Sequence, residues 1–486
     1  MRAIALASLL FAFEAAADKV AAPVQRALML GDKATVLVTL AEQAELANLA
    51  RERHGDDRLI AAVARLRETA NRSQAPLRAW LAARGVRHRA YWVANFISLE
   101  ADSELVQALA AREDVAAIDL DARFSGAHPV QQTPATLKAI TAIEPGVTRV
   151  NAPSLWAMGF RGQGVLIAGQ DTGYDWDHPA LQRSYAGWNG SSASHDYHWF
   201  DAITVNNASC NGNSPEPCDD HNHGTHTMGT MVGDDGAGNQ VGVAPGARWI
   251  GCRNMNAGNG TASSYASCFQ FFLAPTDRAG NNPDPARAPH VINNSWGCPP
   301  SEGCTAPDIL RSVVENVRAA GILVVASAGN SGSSCSSVSD PPAIYAASYT
   351  VGNLNGSVVA STSSRGPVMV DGSNRLKPEI SAPGTNVRSS VRNGGYASFS
   401  GTSMAGPHVA AVAALLMSVD PSLKRDPARI ETLLSTTAIA DITTTQTCGG
   451  TAAPATVPNN TFGHGRVDAL NAARAGLGLL NASGFE

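Results

Sequence analysis

No cysteine occurs before residue 210 of this 486-residue chain, no CxxC pair occurs at all, and charged residues make up only 16% of it. The missing CxxC argues against a structural zinc site. A net charge of −5 without any run of Lys or Arg excludes a polybasic nucleic-acid binder, which needs a basic face or tail. Beyond the N-terminus no apolar stretch is long enough to make a membrane helix, so neither nucleic acid nor membrane is expected as a partner.

What is present begins with "MRAIALASLLFAFEAAADKV". Arg2, the apolar stretch from Ala3 to Phe13 and the small residues before Asp18 have the layout of a secretory signal, expected over residues 1–17. The even set of eight cysteines, all between Cys210 and Cys448, then suggests disulfides of an oxidising compartment. Eight cysteines allow about a hundred pairings. Short loops favour Cys210–Cys218, Cys252–Cys268 and Cys298–Cys304, which leaves Cys335–Cys448.

The Cys-free front is rich in charge, and the back is rich in Gly, Ser and Ala, as expected of separate units. In the front, "KATVLVTL", "HRAYWVANFISLEA" and "VAAIDLDA" read as strands. Long helical material follows the first, and "SELVQALAARE" reads as a helix behind a Ser cap. The polar "SGAHPVQQTPATLK" reads as an exposed linker. The back alternates short apolar strands with helical patterns, the mark of a mostly parallel sheet covered on both faces. Its clearest strands, "GVLIAGQDTG", "HVINNSWG" and "GILVVASAGNSG", end in polar residues, where such sheets gather function.

One stretch needs more than helix capping to explain it. In "FSGTSMAGPHVAAVAALL", Ser403 lies among small residues at the start of an apolar helix. A serine becomes nucleophilic when a histidine, oriented by a carboxylate, removes its proton. Asp171 stands at a strand end in "IAGQDTGYDWDHPAL", and His223 opens a small-residue helix in "DDHNHGTHTMGTMVG". The chain order Asp171, His223, Ser403 is the Asp–His–Ser order of subtilisin. The flanks "DTG", "HGTHTMG" and "GTSMAGPH" resemble the three signatures of the subtilisin-like serine proteases, over roughly Val147 to Leu477. "HGTHTMGTMVGDDGAGNQVGVAPGARWI" and "APHVINNSWGCPPSEGC" look most like the bacillopeptidase F-like branch.

The resemblance implies an α/β fold, a subtilisin-like mostly parallel sheet with helices on both faces, preceded by a small α/β propeptide domain. It implies Asp171, His223 and Ser403 as the triad, and Asn330 of "VVASAGNSG", with the Ser403 amide, as oxyanion donors. Peptide substrate would add as a strand beside Ser295, Trp296 and Gly297, with Ala328 and Gly329 as the opposite wall of the primary pocket. Asp340 falls near the pocket floor, where a carboxylate would favour Lys or Arg before the cut bond; a turn carboxylate before Pro341 is the simpler role. Trp296 fits a core aromatic equally well.

Catalysis of this type needs no cofactor. A zinc hydrolase using His221, His223 and His226 is the rival chemistry, but no HExxH is present and zinc leaves Ser403 and Asn330 unexplained. Acid-acting sedolisins share "SGTS" but not this histidine motif. Structural calcium is compatible with "GDDGAGNQVG", through Asp234 and Asp235, yet Ala180 stands where relatives carry a calcium-binding Asp.

The front resembles a propeptide that assists folding and blocks the active site in cis, though its helical part is longer than the minimal version. The expected order is signal 1–17, propeptide 18–125, linker with the maturation cut 126–146 and peptidase 147–486. The product is expected to be secreted, monomeric when mature and directed at protein or peptide substrates.

Overall fold

The computed structural model describes residues 19–121, 123–125, 142–297, 306–446, 448 and 456–478. The expected signal segment, the Cys298–Cys304 pair and most of the linker lie outside the described residues.

The front unit is a four-stranded antiparallel sheet. Its elements are β1 (Ala34–Leu40), α1 (Gly55–Ala82), β2 (His88–Tyr91), β3 (Phe96–Ala101), α2 (Ser103–Ala110) and β4 (Val115–Leu120), with strand order β2-β3-β1-β4. Alternation decides its two faces. Val36 and Val38 join Ile97 and Leu99 in a core under Leu77 and Leu81 of α1 and Leu109 of α2. Leu37, Phe96 and Tyr91 enter a second core that the front shares with the back unit. The stretch read as one strand from His88 is a hairpin instead: Asn95 adopts a left-handed φ of 47°, and the chain turns through residues 92–95. The tip docks on the back unit, where Trp92 N and Val93 N donate to Gln270 Oε1 at 2.8 and 3.3 Å.

A short strand, β5 (Arg123–Ser125), follows. The chain is described again from Ala142, where residues 142–143 pair in parallel with Asn239–Gln240. The back unit is thus joined before the expected residue 147, and Glu144 pairs with Arg388 at 3.0 Å.

The back unit is built on β6 (Leu166–Asp171), α3 (His223–Val232), β7 (Arg248–Arg253), β8 (Asn259–Thr261), α4 (Ala262–Leu273), β9 (Val291–Asn294), α5 (Arg311–Ala319), β10 (Leu323–Ser327), β11 (Tyr349–Asn355), β12 (Ile380–Pro383), β13 (Val387–Val391), β14 (Gly395–Phe399) and α6 (Thr402–Val419). The large sheet runs β11-β10-β9-β6-β7, all parallel, extended by Trp199–Asp201 beside β7 and by β12 beside β11. Buried on both faces, its strands carry short apolar runs, as in residues 166–168 and 323–326, that give way to polar residues at their ends. Ile167, Val291 and Val325 face the core of α3 and α6; Ala168, Ile292 and Val324 face that of α4 and α5. Helix α6 is apolar and long enough to cross a membrane, but 89% of it is buried between these layers.

Disulfides join Cys210–Cys218, Cys252–Cys268 and Cys335–Cys448, as expected from the cysteine spacing. Their sequence separations are 8, 16 and 113. Loop-closure entropy gives the longest about 4.8 kcal/mol against about 2.5 for the shortest. Cys335→Ser/Cys448→Ser is therefore expected to lower the thermal midpoint more than Cys210→Ser/Cys218→Ser, as read by calorimetry.

Candidate active site

Strand register assembles the site. Asn293 of β9 pairs with Gly169 of β6, so two residues further along each strand Ser295 and Asp171 emerge at the same sheet edge. Neighbouring strands lie about 4.8 Å apart. Each of these residues holds one of the two side chains expected to react.

Asp171 is 1% exposed, and its Oδ1 takes the Nδ1 of His223 at 2.7 Å and the amide of Thr172 at 2.8 Å. Gly173 makes the turn behind it, at φ 109°, and a Cβ there would sit 1.8 Å from the Cys218 carbonyl. Burial pulls the His223 pKa down, but the charge and hydrogen bond of Asp171, with Asp219 behind, outweigh it and hold the imidazole above its ordinary value. Asp219 also organises the start of α3. Its Oδ1 accepts from Thr172 Oγ1 at 2.9 Å and His221 N at 2.8 Å; its Oδ2 accepts from Thr225 N at 3.0 Å. Sequence reasoning gave Asp219 no such role, although an acidic residue just ahead of a helix start is a capping signal.

Ser403 lies in the first turn of α6, 5% exposed. Its Oγ donates to the Ser295 carbonyl at 3.1 Å. Among the described residues no hydrogen bond joins Ser403 to His223; in free enzymes such bonds are often long and tighten with substrate. Helices α3 and α6 pack side by side.

Asn330 follows Gly329, whose left-handed φ of 100° turns the chain out of β10. Its Oδ1 accepts from Thr402 N at 2.9 Å and Thr402 Oγ1 at 3.0 Å. With the oxygen so held, Nδ2 has no acceptor among the described residues and is available to an outside anion beside the first-turn amide of Ser403. In the sequence Thr402 counts only as one of the small residues around Ser403, because nothing in "GTS" says which way its hydroxyl points.

The expected substrate wall divides. Ser295 and Trp296 are each 2% exposed, Gly297 is buried, and Ala328 packs in the core. Trp296 lies flat on Tyr265, ring centroids 3.8 Å apart, and so takes the core role. Asp340 is 4% exposed and accepts from Ser339 Oγ at 2.8 Å, between Val338 and Ala343 of the core that contains Ala328. Beside this wall β5 already lies antiparallel on β8, with Phe124 opposite Gly260.

The three histidines of the zinc alternative separate. His223 binds Asp171, while His226 faces the Val387 and Ala397 carbonyls at 2.9 and 3.2 Å and is driven by burial down to about 3. Among the described residues no three His, Cys, Asp or Glu side chains converge as metal ligands.

The Asp234–Asp235 loop does not fit calcium. The Asp234 carboxylate faces Arg161 at 3.4 Å and Arg183 at 3.5 Å, and Arg183 also donates to the Asp234 carbonyl at 2.9 Å. Asp235 is taken by the amides of Ala237 and Asn239, by Asn239 Nδ2 and by Tyr396. Ala180 contributes no side-chain oxygen. Hard-oxygen coordination needs several free oxygens, and here guanidinium groups already supply the positive charge. Ala180→Asp/Arg183→Ala is expected to gain a calcium-dependent rise in thermal midpoint that the unsubstituted loop does not show.

Comparison with known proteins places the sequence among relatives. The subtilase (peptidase S8) family matches residues 162–465. Bacillopeptidase F of Bacillus subtilis is 37% identical over 408 residues, 80% of this chain but 26% of that protein. M-protease of Shouchella clausii is 32% identical over 311 residues, 64% of this chain and 68% of that protein. Subtilisin E of Bacillus subtilis is 32% identical over 280 residues, 57% of this chain and 61% of that protein. The chain thus spans about a quarter of bacillopeptidase F and about three fifths of subtilisin E. With the family's match covering most of the sheet and every strand end described above, this chain belongs to the subtilase family.

Proposed function

We propose that this chain is a secreted serine endopeptidase, made as a zymogen that cuts itself. The observation that carries the chemistry is the buried 2.7 Å Asp171–His223 bond at the sheet edge that also holds Ser403. Asp171 keeps His223 in the tautomer with Nε2 free to accept. His223 takes the Ser403 proton as Oγ attacks the scissile carbonyl carbon, then gives it to the leaving amine. Asn330 Nδ2 and the Ser403 amide hold the oxyanion, and water, deprotonated by the same histidine, releases the acyl group.

The zymogen reading is supported by how the front unit sits. Strand β5 runs along β8 as an added strand, the manner in which extended peptides bind. Asp121 caps α4 through Ser263 N at 3.1 Å, and Arg58 donates to the Ala319, Arg318 and Arg425 carbonyls at 2.7, 3.1 and 3.1 Å. The front unit therefore grips one end of α4 and the opposite end of α5, which suits an inhibitor that stays in place until its tail is cut. The three disulfides suit an extracellular life.

Digestion of a peptide library by the purified protein tests the reaction. Activity lost to a fluorophosphonate but kept in chelator supports it; the reverse defeats it. Asn330→Ala is expected to fold and to lose about 10²–10³ in turnover. Neutral His223 is the base, so a raised pKa places the rising limb of the pH–rate profile above the ordinary 6.5. Asp171→Asn removes the charge that favours the imidazolium and should move that limb to lower pH, with turnover down by about 10⁴. Intact mass of secreted Ser403→Ala should show an uncut front unit beside a trimmed parent.

A further inference from the structure

Helix α6 contains Pro407, four residues after Ser403. A helical carbonyl accepts from the N–H four residues ahead, and proline has none. The carbonyl of Ser403 is thereby deprived of its partner within the helix, in a layer buried from water where an unpaired acceptor is costly. The Ser295 hydroxyl fills the place, donating to Ser403 O at 2.8 Å. Its direction is set from behind: Asn293 Nδ2 donates to Ser295 Oγ at 2.9 Å, which leaves the single hydroxyl proton for Ser403. The link is reciprocal, because Ser403 Oγ donates to the Ser295 carbonyl. Gly406 leaves room for the crossing; a Cβ there would stand 3.1 Å from Asn293 Oδ1.

We infer that Ser295 is a positioning residue for the reaction: its hydroxyl replaces the amide that Pro407 lacks and locks the peptide plane of Ser403 to the end of β9. The inference rests on the proposed role of Ser403 as nucleophile. It adds to the main-chain substrate role that the resemblance implies for Ser295 a side-chain role in supporting the reacting serine. Loss of the bond lets the first turn of α6 tilt, which displaces the nucleophile and its oxyanion-binding amide together. A misplacement near 1 Å costs up to about 10² in rate.

The test compares steady-state kinetics on one chromogenic peptide. Ser295→Ala is expected to lose about tenfold or more in kcat with KM within about twofold, and to keep the parent's acid limb, since His223 is untouched. Adding Pro407→Ala restores an N–H at the helical position, so Ser295→Ala/Pro407→Ala should recover a large part of the lost kcat. Ser295→Thr and Ser295→Val, alike in shape, separate the hydroxyl from packing: Thr should exceed Val in kcat. A Ser295→Ala kcat within twofold of the parent, a double variant no faster than Ser295→Ala, or equal Thr and Val rates overturns the inference. Hydrolysis by Ser403→Ala would instead remove the nucleophile on which it rests.

Discussion

The register between two parallel strands carries this site. Because Asn293 lies beside Gly169, the chain leaves β9 and β6 at one edge with Ser295 and Asp171 as neighbours. One grips Ser403 and the other grips His223, residues far apart in the sequence. A slip of one residue would send Asp171 to the opposite face of the sheet. The flanking helices reinforce the alignment, since Met228 and Met231 of α3 share a core with residues 409–417 of α6.

Around that edge several buried polar groups hold one another, while Asn293 Oδ1 and Trp296 Nε1 have no hydrogen-bond partner among the described residues. Gln170 donates to Asn294 at 2.7 Å, and Asn294 donates on to the Val325 carbonyl at 3.0 Å, tying three strands together next to Asp171 and Ser295. Asp219 fixes the start of α3, and Thr402 fixes the amide of Asn330. In a low-dielectric setting such a network is rigid when complete, and preorganised donors are what an oxyanion requires. The same burial pushes the His226 and His408 imidazoles down to about 3 and about 4, while Asp171 holds His223 above its ordinary value.

The front unit depends on this frame without belonging to it. Its sheet has one apolar face for its own helices and another for α4 and α5, so its fold and its docking share β1. Arg58 donates to a carbonyl at one helix end and the Asp121 carboxylate accepts from an amide at another, places where helical backbone groups lack intrahelical partners.

Much of this was legible in the sequence. Apolar runs ending in polar residues marked parallel strands, and three motifs marked Asp171, His223 and Ser403, because strand ends and helix starts have local signatures. Cysteine spacing marked Cys210–Cys218 and Cys252–Cys268 because short loops close easily, and Cys335–Cys448 followed only as the remaining pair. Other features were decided only by tertiary structure. The inward turn of Ser295, the stacking of Trp296 on Tyr265 and the guanidinium groups against Asp234 depend on which distant segment arrives opposite. The hairpin at Asn95 likewise interrupts what reads as one continuous strand, since Gln270 of the back unit receives its tip. Sequence periodicity encodes which face of an element is buried; the identity of the neighbour across that face is fixed by packing.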